Sequence, residues 1–178
     1  DLEAENLQHA VHQVRQRLVT CLDAGRPDIV SAVQELIRGA MVVRASDIHF
    51  SPLAAGLQVT YRVHGSLHEV TSVPHELAGR VVNRIKVMSR LDLHVRANPQ
   101  DGRLVTRIGQ QTVEARVSTL PTEGGERVVL RLVRGGRGVP QLEALGFSES
   151  VTTNLQQLLT RPQGLVFVTG PVGSGKTT

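Results

Sequence analysis

The segment from residue 164 to residue 178 constrains the fold more than any other part of the chain. It satisfies the phosphate-binding pattern G-x-x-x-x-G-K-[ST] through Gly170, Gly175, Lys176 and Thr177. Glycine lets the backbone curl closely round an anion, so that backbone N–H groups can bind the phosphate oxygens. The apolar run 165–168 predicts a buried parallel strand that leads into this loop. The segment therefore predicts the start of a nucleotide-binding α/β domain.

The phosphate loop defines the expected cofactor site, which would take ATP and Mg²⁺. Lys176 is expected to reach the outer phosphates, and the hydroxyl of Thr177 is expected to ligate the magnesium ion. The acidic residue that holds the metal and the group that orients water normally lie beyond such a loop. We therefore interpret the sequence as a fragment of a larger ATPase that would not hydrolyse ATP alone. The expected nucleotide-binding residues are Gly170, Pro171, Val172, Gly173, Ser174, Gly175, Lys176, Thr177 and Thr178.

Composition narrows the class of protein. The net charge is +4, and all basic residues except Lys86 and Lys176 are arginines that alternate with acidic residues, as is typical of a solvated mixed surface. Aromatic residues make up 2% of the chain, too few for the stacking platforms of single-strand binders, which disfavours a nucleic-acid motor. No apolar run reaches the roughly 18 residues typical of a membrane span. The single cysteine, Cys21, fits a reducing cytoplasm.

Hydrophobic spacing predicts an α+β domain upstream of the phosphate loop. Two amphipathic helices come first, after which the apolar period changes from 3.6 to 2. A loop containing Pro121, Gly124 and Gly125 is predicted before the last strand. Lys86 is predicted to lie off the apolar face of its helix. The predicted helices are 2–24, 28–43 and 75–90, and the predicted strands are 47–50, 57–63, 67–70, 103–108, 111–117 and 127–133.

These elements predict the domain boundaries. Ser148 is expected to cap a helix that Pro162 ends, and this helix opens the second domain. The heptad-like spacing of the first helix is compatible with a coiled-coil arm, a linker, or packing on its own domain. The predicted segments are an amino-terminal helix or linker at 1–26, an α+β domain at 27–133, a hinge linker at 134–147, and a truncated nucleotide domain at 148–178.

Charged side chains outside the loop are further candidates for the site. An arginine that neutralises the transferred phosphate can contribute on the order of 10³ to 10⁵ in rate. The histidines lack the spacing of a metal site. Glu123 and Glu126 could form an acid–base pair or could simply be solvated in their loop. For each candidate, the alternative to a role at the phosphate is an ordinary strand arginine exposed to solvent. The four candidates lie on or beside predicted strands and are Arg62, Arg116, Arg127 and Arg131.

Six segments, in the same order, resemble the ATPases of type II secretion and type IV pilus assembly. The resemblance covers about residues 27–178. It implies a PAS-like amino-terminal domain, built of antiparallel hairpins and helices, followed by the truncated start of a RecA-like ATPase domain. The segments are ASDIHF (45–50), YRVHGSL (61–67), RIKVMSRLDL (84–93), PQDGR (99–103), RVSTLPTEGGERVVLR (116–131) and GLVFVTGPVGSGKTT (164–178).

The same resemblance implies a function. Family members are homohexamers at the cytoplasmic face of the bacterial inner membrane, and they hydrolyse ATP to drive secretion or pilus assembly through an inner-membrane platform protein. They associate with the membrane only through partners, and nucleic acid is not an expected partner. The positions that match the family's phosphate-reaching arginines are Arg116 and Arg131, which we expect to be catalytic with Lys176. The alternatives are a pilus retraction motor and a non-catalytic module for subunit interaction.

Three positions depart from the family's pattern. His64 replaces the usual Asp before Gly65, and Val172 replaces a common Thr in the phosphate loop. Binding should tolerate Val172, because the loop binds phosphate through backbone N–H groups. Residues 94–98 replace the family's usual charged residues, so the resemblance does not predict a partner contact at this segment.

Overall fold

A computed structural model describes residues 2–22, 25–133 and 141–170. The chain divides into two units, Asp1–Gly135 (unit 1) and Gly136–Thr178 (unit 2). Residues 134–140 of the predicted hinge linker, and the phosphate loop after Gly170, lie outside the described residues.

Unit 1 is built on a six-stranded antiparallel sheet and three helices. The helices are α1 (Leu2–Leu22), α2 (Ile29–Val42) and α3 (His75–Met88), and the strands are β1 (Asp47–Leu53), β2 (Gly56–Val63), β3 (Ser66–Pro74), β4 (Gln100–Ile108), β5 (Gln111–Thr122) and β6 (Gly125–Val133). The strand order in the sheet is β3-β2-β1-β6-β5-β4. The predicted α+β class is therefore confirmed.

The core of unit 1 joins one face of the sheet to the three helices. Alternate residues of the central strands, such as Phe50 and Tyr61, are buried in one cluster with apolar residues of α1, α2 and α3. The buried hydroxyl of Tyr61 donates a hydrogen bond to the backbone oxygen of Leu36, at 2.6 Å, which satisfies its polar group inside the core. Because Val14 and Leu18 of α1 belong to this cluster, the first helix packs on its own unit.

The predicted loop before the last strand is only a two-residue turn, and Pro121 and Gly125 belong to the strands. Strand β5 continues to Thr122, and β6 begins at Gly125, so only two residues separate the paired strands. Gly125 has a φ of +128°, a conformation that residues with a Cβ rarely adopt, so it allows a tight hairpin here. The strands therefore extend several residues further than alternation of apolar residues indicates.

The burial of Lys86 differs from its predicted position off the apolar face of α3. Its side chain is completely buried, although it lies beside the apolar stripe of α3. Its Nζ atom donates hydrogen bonds to Oε1 of Glu126 and to the backbone oxygen of Val95, each at 2.8 Å. A buried ammonium group is tolerated when it is paired in this way. The pair ties α3 to the β5–β6 hairpin.

Unit 2 contains a short 3-10 helix, Leu142–Leu145, and helix α4 (Glu149–Leu159). The predicted α4 is confirmed. Ser148 occupies its N-cap position, but the hydroxyl lies 3.1 Å from that of Ser150 and makes no capping hydrogen bond. The strand predicted at 165–168 is wrong, since these residues are exposed and unpaired. A strand needs a neighbour for its backbone groups, and residues 141–170 contain no other strand.

Gly56 at the start of β2 provides a stability test. Its φ is +142°, and an added Cβ would lie 2.2 Å from the backbone oxygen of Val73. We expect Gly56→Ala to lower the free energy of unfolding by about 2–4 kcal/mol, because it combines backbone strain with a clash against a fixed backbone atom. Denaturant titration measures this change.

The matched control for Gly56→Ala is Gly79→Ala. Gly79 lies within α3, and an added Cβ would meet no atom within 4 Å. Alanine there should raise stability by about 0.5–1 kcal/mol, because it has the higher helix propensity. Equal effects of the two substitutions would contradict the strained geometry at Gly56.

Candidate functional site

The face of the sheet opposite the helices carries a line of charged side chains. The strand register places five residues opposite one another across five neighbouring strands. At a strand spacing of about 4.8 Å, four steps span about 19 Å. We call this set the arginine row, and it consists of Arg103 (β4), Arg116 (β5), Arg131 (β6), Asp47 (β1) and Arg62 (β2).

Three adjacent members of the arginine row carry the same charge. Like charges directly opposite each other destabilise a sheet unless counterions compensate them. Arg103 is compensated by Glu114, with Nε 2.7 Å from Oε1, and Arg131 is compensated by Asp47. The side chain of Arg116, between these two arginines, is exposed and forms no hydrogen bond or ion pair with any residue in the described ranges. The row therefore presents uncompensated positive charge at Arg116.

An open cavity of about 730 Å³ lies over this part of the sheet. Arg103, Arg116 and Arg131 contribute to its lining. Asp101 and Ser118 also line it and are joined by a 2.5 Å hydrogen bond from the Ser118 hydroxyl. The cavity has the size of a typical small-ligand pocket, and its arginines favour an anionic ligand.

Asp47 lies between Arg131 and Arg62 in the arginine row and is 4% exposed. Its Oδ1 accepts a hydrogen bond from Nε of Arg131 at 3.0 Å, and its Oδ2 accepts one from the Ser46 hydroxyl at 2.8 Å. Nε of Arg62 lies 3.6 Å from Oδ2. Burial raises the pKa of Asp47, but the hydrogen bonds from Arg131 and Ser46, with the charge of Arg131, outweigh it, so the net pKa is lowered. Asp47 is thus a carboxylate at neutral pH.

His49 lies two residues further along β1 on the same side of the sheet. Burial lowers the pKa of His49, and the positive charges of Arg62, Arg127 and Arg131 lower it further, against the smaller opposing effect of Asp47. The imidazole is therefore neutral at pH 7. Its buried Nε2 atom has no hydrogen-bond partner among the described residues.

The structure separates the four candidate arginines. Arg62, Arg116 and Arg131 belong to the arginine row, whereas Arg127 lies opposite Leu120 and outside it. The row also contains two residues that the sequence did not single out, Arg103 and Asp47. Alternation along each strand could have indicated that both side chains lie on the face opposite the helices. Only the cross-strand register shows that they belong to the same row.

The hypothesised pair of Glu123 and Glu126 is not an acid–base pair. Glu126 is bound to the buried Lys86, while Glu123 is exposed at the hairpin turn. Across the described parts of the chain, no group of three or more His, Cys, Asp or Glu side chains is placed to hold a metal ion. The expected roles of Lys176 and Thr177 concern residues outside the described ranges and stay predictions.

Most of the chain matches a known protein family. The sequence model of the family described as "Type II/IV secretion system protein" matches residues 23–178. The chain belongs to this family.

Curated relatives of this secretion-system family include proteins of both secretion and pilus assembly. The chain is 45% identical over 150 residues to type II secretion system protein E of Pseudomonas aeruginosa, covering 84% of this chain and 30% of that protein. It is 39% identical over all 178 residues to type II secretion system protein HxcR of the same organism, covering 37% of that protein. The type IV pilus assembly ATPase PilB of this organism is 38% identical, covering 87% of this chain and 28% of PilB. The chain spans about a third of these relatives.

Two solved structures share the fold. The pilus retraction motor PilT with bound ADP matches with a TM-score of 0.53 and 28% identity, covering 82% of this chain and 40% of PilT. The ATPase DotB of Legionella pneumophila matches with a TM-score of 0.50 and 20% identity, covering 84% of this chain and 39% of DotB, and it supports the fold alone. In the described residues, no helix has the length and apolarity needed to cross a membrane.

Proposed function

We propose that this chain is the amino-terminal part of a cytoplasmic, hexameric ATPase that powers type II protein secretion or type IV pilus assembly. The observation that carries the proposal is the arginine row with its uncompensated charge at Arg116, in a member of this family. Relatives named for secretion and for pilus assembly are 38–45% identical. The 178 residues alone would not hydrolyse ATP, because the groups that hold the metal and orient water are expected elsewhere in a longer protein.

We propose that residues 27–133 form a PAS-like domain, that 134–147 are a hinge, and that 148–178 begin a RecA-like nucleotide domain. The antiparallel sheet with helices on one face supports the first assignment. The G-x-x-x-x-G-K-[ST] pattern supports the last. The helix within 1–26 would belong structurally to the PAS-like domain, since it shares its core.

The proposed mechanism divides the work between the two domains. Backbone N–H groups of the loop from Gly170 would bind the phosphates of ATP, Lys176 would contact the outer phosphates, and Thr177 would hold Mg²⁺. The metal ion, when bound, neutralises phosphate charge. Arg116 and Arg131 would stabilise the additional negative charge that develops on the phosphate during transfer. Charge fixed in place before the reaction acts in this way at little reorganisation cost.

The proposed partners follow from the family. The full-length protein would assemble as a homohexamer and would act on an inner-membrane platform protein at the cytoplasmic face of the membrane, without binding nucleic acid. A pilus retraction motor is the second candidate, because the PilT structure shares this fold. Assembly or secretion is preferred, since relatives with those names are 38–45% identical whereas PilT is 28% identical. A non-catalytic interaction module is the alternative from another class.

Lys176→Ala in the full-length protein tests the ATPase proposal. Loss of a charge-assisted contact worth about 1.5–3 kcal/mol should weaken ATP binding roughly 10- to 150-fold and stop turnover at millimolar ATP. Nucleotide titration and steady-state phosphate release measure both effects. A full-length parent that hydrolyses no ATP under any condition would leave the interaction module as the better account. Hydrolysis at the parental rate by Lys176→Ala would remove the loop from the mechanism.

A further inference from the structure

Among the described residues, only Asp47 forms a hydrogen bond or ion pair with the side chain of Arg131. Its side chain is 73% exposed, and its hydrogen bond to Asp47 uses the Nε atom. Both terminal NH₂ groups of Arg131 form no hydrogen bond with the residues that the structure describes. An arginine binds phosphate most strongly when it offers two parallel N–H donors, so these are the groups that an anion would use.

Asp47 is itself held in place by burial and by several contacts. It is buried, and the Ser46 hydroxyl donates to it at 2.8 Å. The backbone of Ser46 is held on both sides, because its N–H donates to the Arg62 oxygen at 2.8 Å and its oxygen accepts from the Leu132 N–H at 2.9 Å. Asp47 lies opposite both Arg62 and Arg131 on the neighbouring strands. Its carboxylate therefore has one position relative to the sheet.

We propose that Asp47 is a positioning residue, which holds the Arg131 guanidinium in the orientation that receives the phosphate. The inference rests on the proposed role of Arg131 in phosphate transfer and extends it to a residue that touches neither nucleotide nor metal. An exposed arginine must lose rotamer freedom to act on the phosphate, and this loss opposes catalysis. Asp47 removes much of this cost by ordering Arg131 beforehand. Ser46 supports the same arrangement through its hydrogen bond to Oδ2.

The test is a double-mutant cycle on ATP hydrolysis by the full-length protein. Asp47→Asn keeps the size of the side chain but removes its charge, and it should lower kcat roughly 2- to 10-fold with little change in KM for ATP. Arg131→Ala should lower kcat more. In the Arg131→Ala background, Asp47→Asn should change kcat less than about twofold, since a residue that acts through Arg131 has nothing left to position.

Two further variants keep the test decisive. Ser46→Ala should also lower kcat, by a smaller factor than Asp47→Asn does. It takes the place of Asp47→Asn in the test if that variant does not fold. Glu35→Gln is the matched control, because Glu35 pairs with Arg17 at 3.2 Å and lies on α2, away from the arginine row. It should leave kcat within about twofold of the parent, because its partners Arg17 and Arg38 also lie outside the arginine row.

The outcomes separate the two proposals. If Arg131→Ala lowers kcat while Asp47→Asn and Ser46→Ala leave it unchanged, Asp47 does not position Arg131, and the proposed role of Arg131 stands. Equal factors for Asp47→Asn in the parent and in the Arg131→Ala background would likewise overturn the positioning role. Full kcat in Arg131→Ala would overturn both the role of Arg131 and the inference that rests on it.

Discussion

Replacing Glu126 with glutamine is expected to lower the free energy of unfolding by about 3–5 kcal/mol. The substitution leaves the ammonium group of Lys86 buried without a counterion, with only neutral acceptors close by, the Val95 oxygen and the new amide oxygen. A buried charge without a counterion is among the largest single destabilising effects in proteins. Thermal unfolding should show a decrease of more than about 10 °C in Tm, and denaturant titration should give the free energy directly.

The double substitution Lys86→Met with Glu126→Met is the informative companion. Two apolar side chains of similar length fill the same volume without any charge, so most of the lost stability should return. Glu114→Gln is the control, because its ion pair with Arg103 is exposed and should contribute less than about 1 kcal/mol. A loss below 1 kcal/mol for Glu126→Gln would show that the buried pair is not a structural tie between α3 and the β5–β6 hairpin.

Replacing Arg116 with glutamine is expected to affect stability and turnover in opposite directions. Arg116 lies directly opposite both Arg103 and Arg131 in the arginine row, so its removal relieves like-charge repulsion. We expect the free energy of unfolding to rise by about 0.2–1 kcal/mol. Loss of one preorganised donor at the phosphate should meanwhile lower kcat of the full-length protein on the order of 10²- to 10³-fold.

A gain in stability together with a loss of turnover distinguishes a residue of the functional site from a structural residue. Replacement of a structural arginine would lower the stability of the protein and would affect turnover only through folding. The other charged members of the row have internal counterions, but Arg116 has none among the described residues. A sheet position that is unfavourable for folding and favourable for an anion fits a side chain retained for function.

Much of unit 1 could be predicted from local patterns, and the errors have a common cause. The periods of apolar residues located α1, α2, α3 and the strands, because one buried face repeats along each element. The burial of Lys86 could not be predicted in this way, because its partner Glu126 is 40 residues away in the chain and no local pattern connects them. The prediction of a strand at 165–168 is wrong for a related reason, because a continuous apolar run predicts a buried strand only where a neighbouring strand exists.

The candidate site was predicted in part. Three of the four candidate arginines do lie together, but strand alternation could not choose among them. The family resemblance chose Arg116 and Arg131, and the cross-strand register places them opposite each other, with Asp47 on the far side of Arg131. Asp47 was part of a recognised segment, yet its role depends on two strands that are distant in sequence. Register of this kind is set by the assembled sheet rather than by any one strand.

The most direct test compares Arg116→Gln with Arg107→Gln in the full-length protein. Arg107 is an exposed arginine that lies opposite Thr112, on β4, and it is outside the arginine row. ATP affinity and single-turnover hydrolysis are measured for both variants and the parent. We predict that Arg116→Gln binds ATP within about tenfold of the parent but hydrolyses it 10²- to 10³-fold more slowly, while Arg107→Gln matches the parent. Equal hydrolysis rates for the two variants would contradict a catalytic role for the arginine row.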